Sequence, residues 1–141
     1  MTKPRLQTAP RTADASGLLT VGLDIGYGVT KAVTPTLAIA FPSVAGHARE
    51  LRFQRDDISQ RHPGDQLTDS DGSWFIGELA LAQLPPGELL RLRGRTANEQ
   101  TMGNAFRLRL AKAAIGKLVR GARERDILHL RLCTGLPVDH M

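Results

Sequence analysis

Apolar and polar positions along the chain change period several times, and each change predicts an element. Leu18 to Asp24 (LLTVGLD) is a compact apolar run containing Thr20 and Val21, which predicts a buried strand. Ile25 to Lys31 (IGYGVTK) reads as a glycine-rich turn. Thr30 to Thr34 and Thr36 to Phe41 are two further β-prone runs separated by Pro35. Val21 to Phe41 is thus expected to form three antiparallel strands with Gly26 and Gly28 in the first turn, a meander rather than a βαβ unit. His47 to Asp71 is polar, charged and broken by Pro63 and Gly64, and reads as a long connection with a short strand around Leu51 to Arg55. Ser73 to Gly77 (SWFIG) predicts a short strand, and Glu78 to Leu84 (ELALAQL) a helix stopped by Pro85-Pro86.

Thr96 to Arg123 is the longest helical stretch. Thr96 followed by Glu99 has the form of a capping box. Met102, Phe106, Leu110 and Ala113 recur at helical spacing, and Ala105, Leu108, Ile115 and Leu118 widen that apolar surface. Asp126 to Thr134 (DILHLRLCT) alternates leucines with His129, Arg131 and Cys133, the pattern of a strand. A strand there should lie parallel to Leu18–Asp24, with the long helix as the covering crossover. The order predicts an α/β domain with a mixed sheet and flanking helices over residues 18–141. Residues 1–17 carry no periodicity and read as a flexible tail.

Composition narrows the class. The chain has 141 residues, 41% apolar and 23% charged, which suits one globular domain with a buried core. No apolar run approaches a membrane span, and Met1 to Ser16 lacks the apolar core of a secretory signal, so the expected location is the cytoplasm. The single Cys133 excludes an internal disulfide and a cysteine-based zinc site. The formal net charge is +5, and most of the 19 basic residues are arginine. They are spread along the chain, and aromatics are only 4%, so the arginines read as a solvated surface and direct nucleic-acid binding is not expected.

The chemistry sits in V-G-L-D-I-G-Y-G-V-T-K, Val21 to Lys31. Asp24 ends a buried strand, Gly26 and Gly28 flank Tyr27, and Val29, Thr30 and Lys31 follow on the returning strand. Glycines allow backbone N–H groups to face an anion without a Cβ in the way. Lys31 can neutralise phosphate charge, and Asp24 can hold a hydrated Mg²⁺. A P-loop is absent, and G-x-G-x-x-G fails at its third glycine, where Lys31 stands. From spacing alone, a plain β-hairpin and a phosphate-binding turn both remain open.

D-I-G-Y-G-V-T-K resembles the first phosphate motif of the actin, Hsp70 and sugar-kinase superfamily, with the aspartate-to-lysine spacing of actins. Three further segments resemble the bacterial and archaeal actin-like branch, which includes plasmid-segregation filaments: Phe41-Pro42-Ser43-Val44, Trp74-Phe75-Ile76-Gly77-Glu78-Leu79-Ala80, and Thr134-Gly135-Leu136-Pro137-Val138. The resemblance implies a ribonuclease H-like N-terminal lobe with a five-stranded type of sheet. It implies ATP and Mg²⁺ as ligands, with Asp24, Gly26, Tyr27, Gly28, Val29, Thr30 and Lys31 at the nucleotide and Asp24 serving the metal through water. It also implies a filament-forming ATPase in full-length relatives, a homopolymer working with a DNA-adaptor protein. Tyr27 stands where actins carry a small hydroxyl residue.

Within these 141 residues there is no second D-x-G-x-x-T motif. The chain is therefore expected to be the N-terminal lobe alone, without the second lobe, and inactive by itself as an ATPase. The alternatives are a non-enzymatic remnant or binding module, and the same lobe of a kinase or Hsp70-like protein. His47, His62, His129 and His140 share no metal-ligand spacing. Cys133 reads as a small buried apolar group, Trp74 as core, Glu78 as a local cap or ion-pair residue, and Arg91 to Arg95 as a solvated loop.

Overall fold

Alternation along the first strand organises the molecule. The computed structural model describes residues 16–49, 64–92, 97–120 and 129–135, with side chains of the long helix from residue 103 onward. In β1 (Leu18–Ile25), Leu19, Val21 and Leu23 are buried, so their neighbours Thr20, Gly22 and Asp24 point to the opposite face. The buried set packs with Phe106, Leu110, Ala113, Ala114 and Leu118 of the long helix α2 (Ala97–Arg120). Leu19, Leu110 and Leu118 are fully buried, each stabilising the fold by about 1.5–3 kcal/mol relative to an exposed position.

β2 (Val29–Val33) and β3 (Ala38–Pro42) continue as an antiparallel meander, and β8 (His129–Thr134) lies parallel to β1. The order in this first sheet is β3-β2-β1-β8. The expected meander and the parallel last strand are both present. Thr96, residues 121–123 and Asp126 to Leu128 lie outside the described residues, as do residues 1–15, the strand expected at Leu51–Arg55, His62, His140 and Leu136 to Val138.

A second sheet takes in both ends of the expected long connection, at His47 and at Gln66–Asp69; residues 50–63 of that connection lie outside the described residues. β4 (Val44–His47), β5 (Gln66–Asp69), β6 (Gly72–Ile76) and the two-residue β7 (Leu90–Arg91) form an antiparallel sheet of order β5-β6-β4-β7. Where one mixed sheet of five-stranded type was expected, the described residues thus form two four-stranded sheets. Arg91, read from sequence as loop, pairs with Val44. The helix after β6, α1 (Gly77–Gln83), ends at Leu84, and Pro85-Pro86 opens a 3₁₀ turn over Pro86–Glu88. Val44, Phe75, Leu79, Ala80 and Leu84 make a separate small core beneath this sheet.

Two burial expectations need correction. Cys133 is exposed rather than buried: its register partner is Gly22, on the face away from α2, and β8 is the outermost strand of its sheet among the described residues. Leu108, assigned to the apolar face of the helix, is also exposed, because α2 turns its Phe106–Leu110–Ala113–Ala114 side to the sheet. No helix among the described residues is long and apolar enough to cross a membrane.

Candidate functional site

The turn between β1 and β2 is built from Gly26, Tyr27 and Gly28. The Gly26 N–H donates to the Val29 carbonyl at 3.1 Å, closing the hairpin. A Cβ at Gly26 would sit 2.8 Å from that carbonyl oxygen, so a glycine is what lets the strands close here. A Cβ at Gly28 would meet nothing within 4 Å, so this side of the turn is open to an approaching group. Tyr27 is exposed at the tip. A strand, not a helix, begins at Val29, which separates this turn from the phosphate loops that open a helix.

The register places Asp24 directly opposite Lys31, and Ile25 opposite Thr30. In an antiparallel pair, opposed side chains share a face, with Cβ atoms about 5 Å apart. Asp24 and Lys31 therefore stand together on the sheet face away from α2, both exposed, with Val29 on the same face. The arrangement sets one carboxylate and one ammonium beside an open glycine turn. That combination suits a phosphate with its hydrated cation. Among the described residues no group of three or more His, Cys, Asp or Glu could hold a metal; Asp24 offers a single carboxylate, which fits an ion that keeps its waters.

Thr30 is not brought to that face. It is fully buried on the helix side, and its hydroxyl lies 2.9 Å from the Ser43 hydroxyl, with either one able to donate. The Ser43 N–H donates to the Gly28 carbonyl at 3.0 Å. Ser43 lies within the Phe41–Val44 motif, yet its spacing gives no sign of this contact with the turn. Only the fold brings it there.

Two polar clusters fasten the second sheet to α2. Asp65 is buried, and its carboxylate accepts from the Leu79 N–H at 3.2 Å and pairs with Lys117. It thereby caps α1, whose own N-cap residue, Ile76, has no side-chain acceptor. Glu78, expected as a local cap or ion-pair residue, is exposed in the first turn. In the second cluster, buried Arg109 donates to Asp69 and to Asp71, both at 2.7 Å, and its guanidinium lies 3.7 Å from the centroid of Trp74. Trp74 is in the core as expected, and its indole N–H donates to Asp69 at 3.1 Å. The Arg109 hydrogen bond, foremost, holds the Asp69 carboxyl below the usual aspartate range, with backbone and Trp74 donors adding to it against some desolvation. The three ion pairs join residues 38 to 52 positions apart, and no local pattern announces them. His47 stacks on the Trp74 ring at 3.9 Å between centroids.

A meander joined through a helix to a parallel strand, with an acidic glycine hairpin at its head and a second sheet inserted after the third strand, defines an actin-type N-terminal lobe. The model of the N-terminal domain of actin-like proteins matches residues 22–141, and the chain belongs to that family. Among solved structures, it is similar to a non-polymerisable quadruple mutant of pCBH ParM (22% identity, TM-score 0.55, covering 88% of this chain and 35% of that one). It is also similar to Bacillus thuringiensis ParM with ADP (15%, 0.56, 86% and 35%) and with AMPPNP (16%, 0.56, 87% and 35%). The chain thus spans about a third of the length of these proteins. At such identities the likeness is one of fold. No curated relative matches the chain.

Proposed function

We propose that this chain is the phosphate-binding N-terminal lobe of a filament-forming, actin-like ATP-binding protein of the plasmid-segregation type. The observation that carries this reading is the Asp24–Lys31 pair, set opposite one another beside the open Gly26-Tyr27-Gly28 turn. Membership of the actin-like family supports it. So do the similar folds solved with ADP and AMPPNP, and that of a Clostridium botulinum ParM solved as a 15-stranded filament. Backbone N–H groups of the turn and the Lys31 ammonium would hold phosphate oxygens. Asp24 would hold Mg²⁺ through its water shell, and the cation would neutralise phosphate charge. A cytoplasmic location, a homopolymer in longer relatives and a DNA-adaptor partner belong to the same proposal.

One hairpin is only part of a hydrolytic site. Phosphoryl transfer depends on positioning and charge stabilisation around the whole transferring group. The isolated chain should therefore bind Mg–ATP weakly, at about millimolar or worse, equivalent to about −4 kcal/mol or less favourable. It should show no steady turnover, and Asp24→Ala should remove the binding while leaving the fold intact. Phosphate release and Mg–ATP titration on the 141-residue chain test this. Robust turnover by this chain alone would refute the half-site argument, and binding that survives Asp24→Ala would refute the assignment of Asp24.

A further inference from the structure

The residue that joins the two sheets also grips the turn. Ser43 is the single residue between β3, in the first sheet, and β4, in the second. It is 1% exposed, too buried to touch a ligand. Its N–H fixes the Gly28 carbonyl, and its hydroxyl fixes that of Thr30. Because a trans peptide is planar, holding the Gly28 carbonyl also sets the direction of the Val29 N–H beside the turn. Thr30 in turn precedes Lys31, so the two bonds fix the backbone that leads directly into the lysine. The hydroxyl pair is shielded from water, and a hydroxyl left there without its partner is costly.

We propose that Ser43 is a positioning residue for phosphate recognition, holding Gly28 to Thr30 in place from the joint between the sheets. This inference rests on the hairpin being a phosphate site. It assigns a role to a side chain that no sequence motif links to the ligand, and it acts wholly through the backbone and Thr30.

The test uses the 141-residue chain with Ser43→Ala, Thr30→Val, the double variant and Thr30→Ser. Amide hydrogen exchange and Mg–ATP titration by amide chemical shift are read on each, with inorganic tripolyphosphate as a second probe. Ser43→Ala should speed exchange at Gly28 to Lys31 about tenfold while α2 is unchanged, and weaken Mg–ATP and tripolyphosphate binding about fivefold. Thr30→Val should do the same, the double variant should add little to either, and Thr30→Ser, which keeps the hydroxyl, should resemble the wild type. Thr30→Val reads the same bond should Ser43→Ala not fold. A wild-type chain that binds both probes while Ser43→Ala binds them equally well overturns the inference alone, as does loosening spread uniformly over the chain. A wild-type chain that binds neither probe overturns the phosphate reading and this inference with it.

Discussion

Asp65 carries two duties whose separate costs can be measured. Its carboxylate caps the N-terminus of α1 through the Leu79 N–H and pairs with Lys117 in a part-buried setting. Removing one partner of a buried ion pair costs about 3–5 kcal/mol, largely because the remaining charge is stranded. Loss of a helix cap costs about 1 kcal/mol. The Lys117 side chain retains 17% exposure, which relieves part of the stranded charge, so Asp65→Ala should destabilise the chain by about 4 kcal/mol. Asp65→Asn keeps an acceptor for the cap and should lose about 2–3 kcal/mol. Adding Lys117→Met to Asp65→Ala removes the stranded ammonium, and the double variant should fall only about 1–2 kcal/mol below wild type. Urea denaturation followed by circular dichroism gives all three differences from wild type, with the slopes checked for constancy. If Asp65→Ala cost under about 1 kcal/mol, or Lys117→Met recovered nothing in its background, the account of this junction would be wrong.

The Asp69 carboxyl titrates below its ordinary value of 3.8 in the folded chain, so it contributes stability that is present above that value and lost as pH falls through its lower folded value. Acid denaturation curves should show this loss below about pH 4 in wild type and a flatter profile there in Asp69→Asn. Gly77 opens α1 at φ +62°, and a Cβ there would lie 3.2 Å from the Phe41 ring, so Gly77→Ala should cost about 1–2 kcal/mol in a thermal or urea melt. Gly26→Ala should destabilise the hairpin because its Cβ meets the Val29 carbonyl. Gly28→Ala, open on that side, should leave the melting temperature nearly unchanged while weakening Mg–ATP binding, and equal effects of the two on stability would contradict the turn geometry.

The first strand, its turn and the meander are legible from local chemistry. Leu19, Val21 and Leu23 alternate with less apolar positions, two glycines punctuate the run, and the β-prone stretch resumes at once. The long helix, the stop at Pro85-Pro86 and the parallel last strand follow from periodicity and from the crossover that a parallel pair requires. The Asp24–Lys31 juxtaposition was also within reach, since a two-sided hairpin about Tyr27-Gly28 fixes the register. The second sheet was not: β4 has four residues and β7 two, too short for a period to show, and they become strands only by pairing with each other and with β6. Burial followed the same division. Cys133 and Leu108 have apolar character, but whether a strand face or helix face is covered depends on which element lies across it. The contacts of Ser43 with the turn, of Asp65 with α1 and Lys117, and of Arg109 with Asp69, Asp71 and Trp74 likewise belong to the tertiary structure. Each joins groups far apart in the chain whose buried polar atoms must find partners, and sequence spacing carries no record of where those partners arrive.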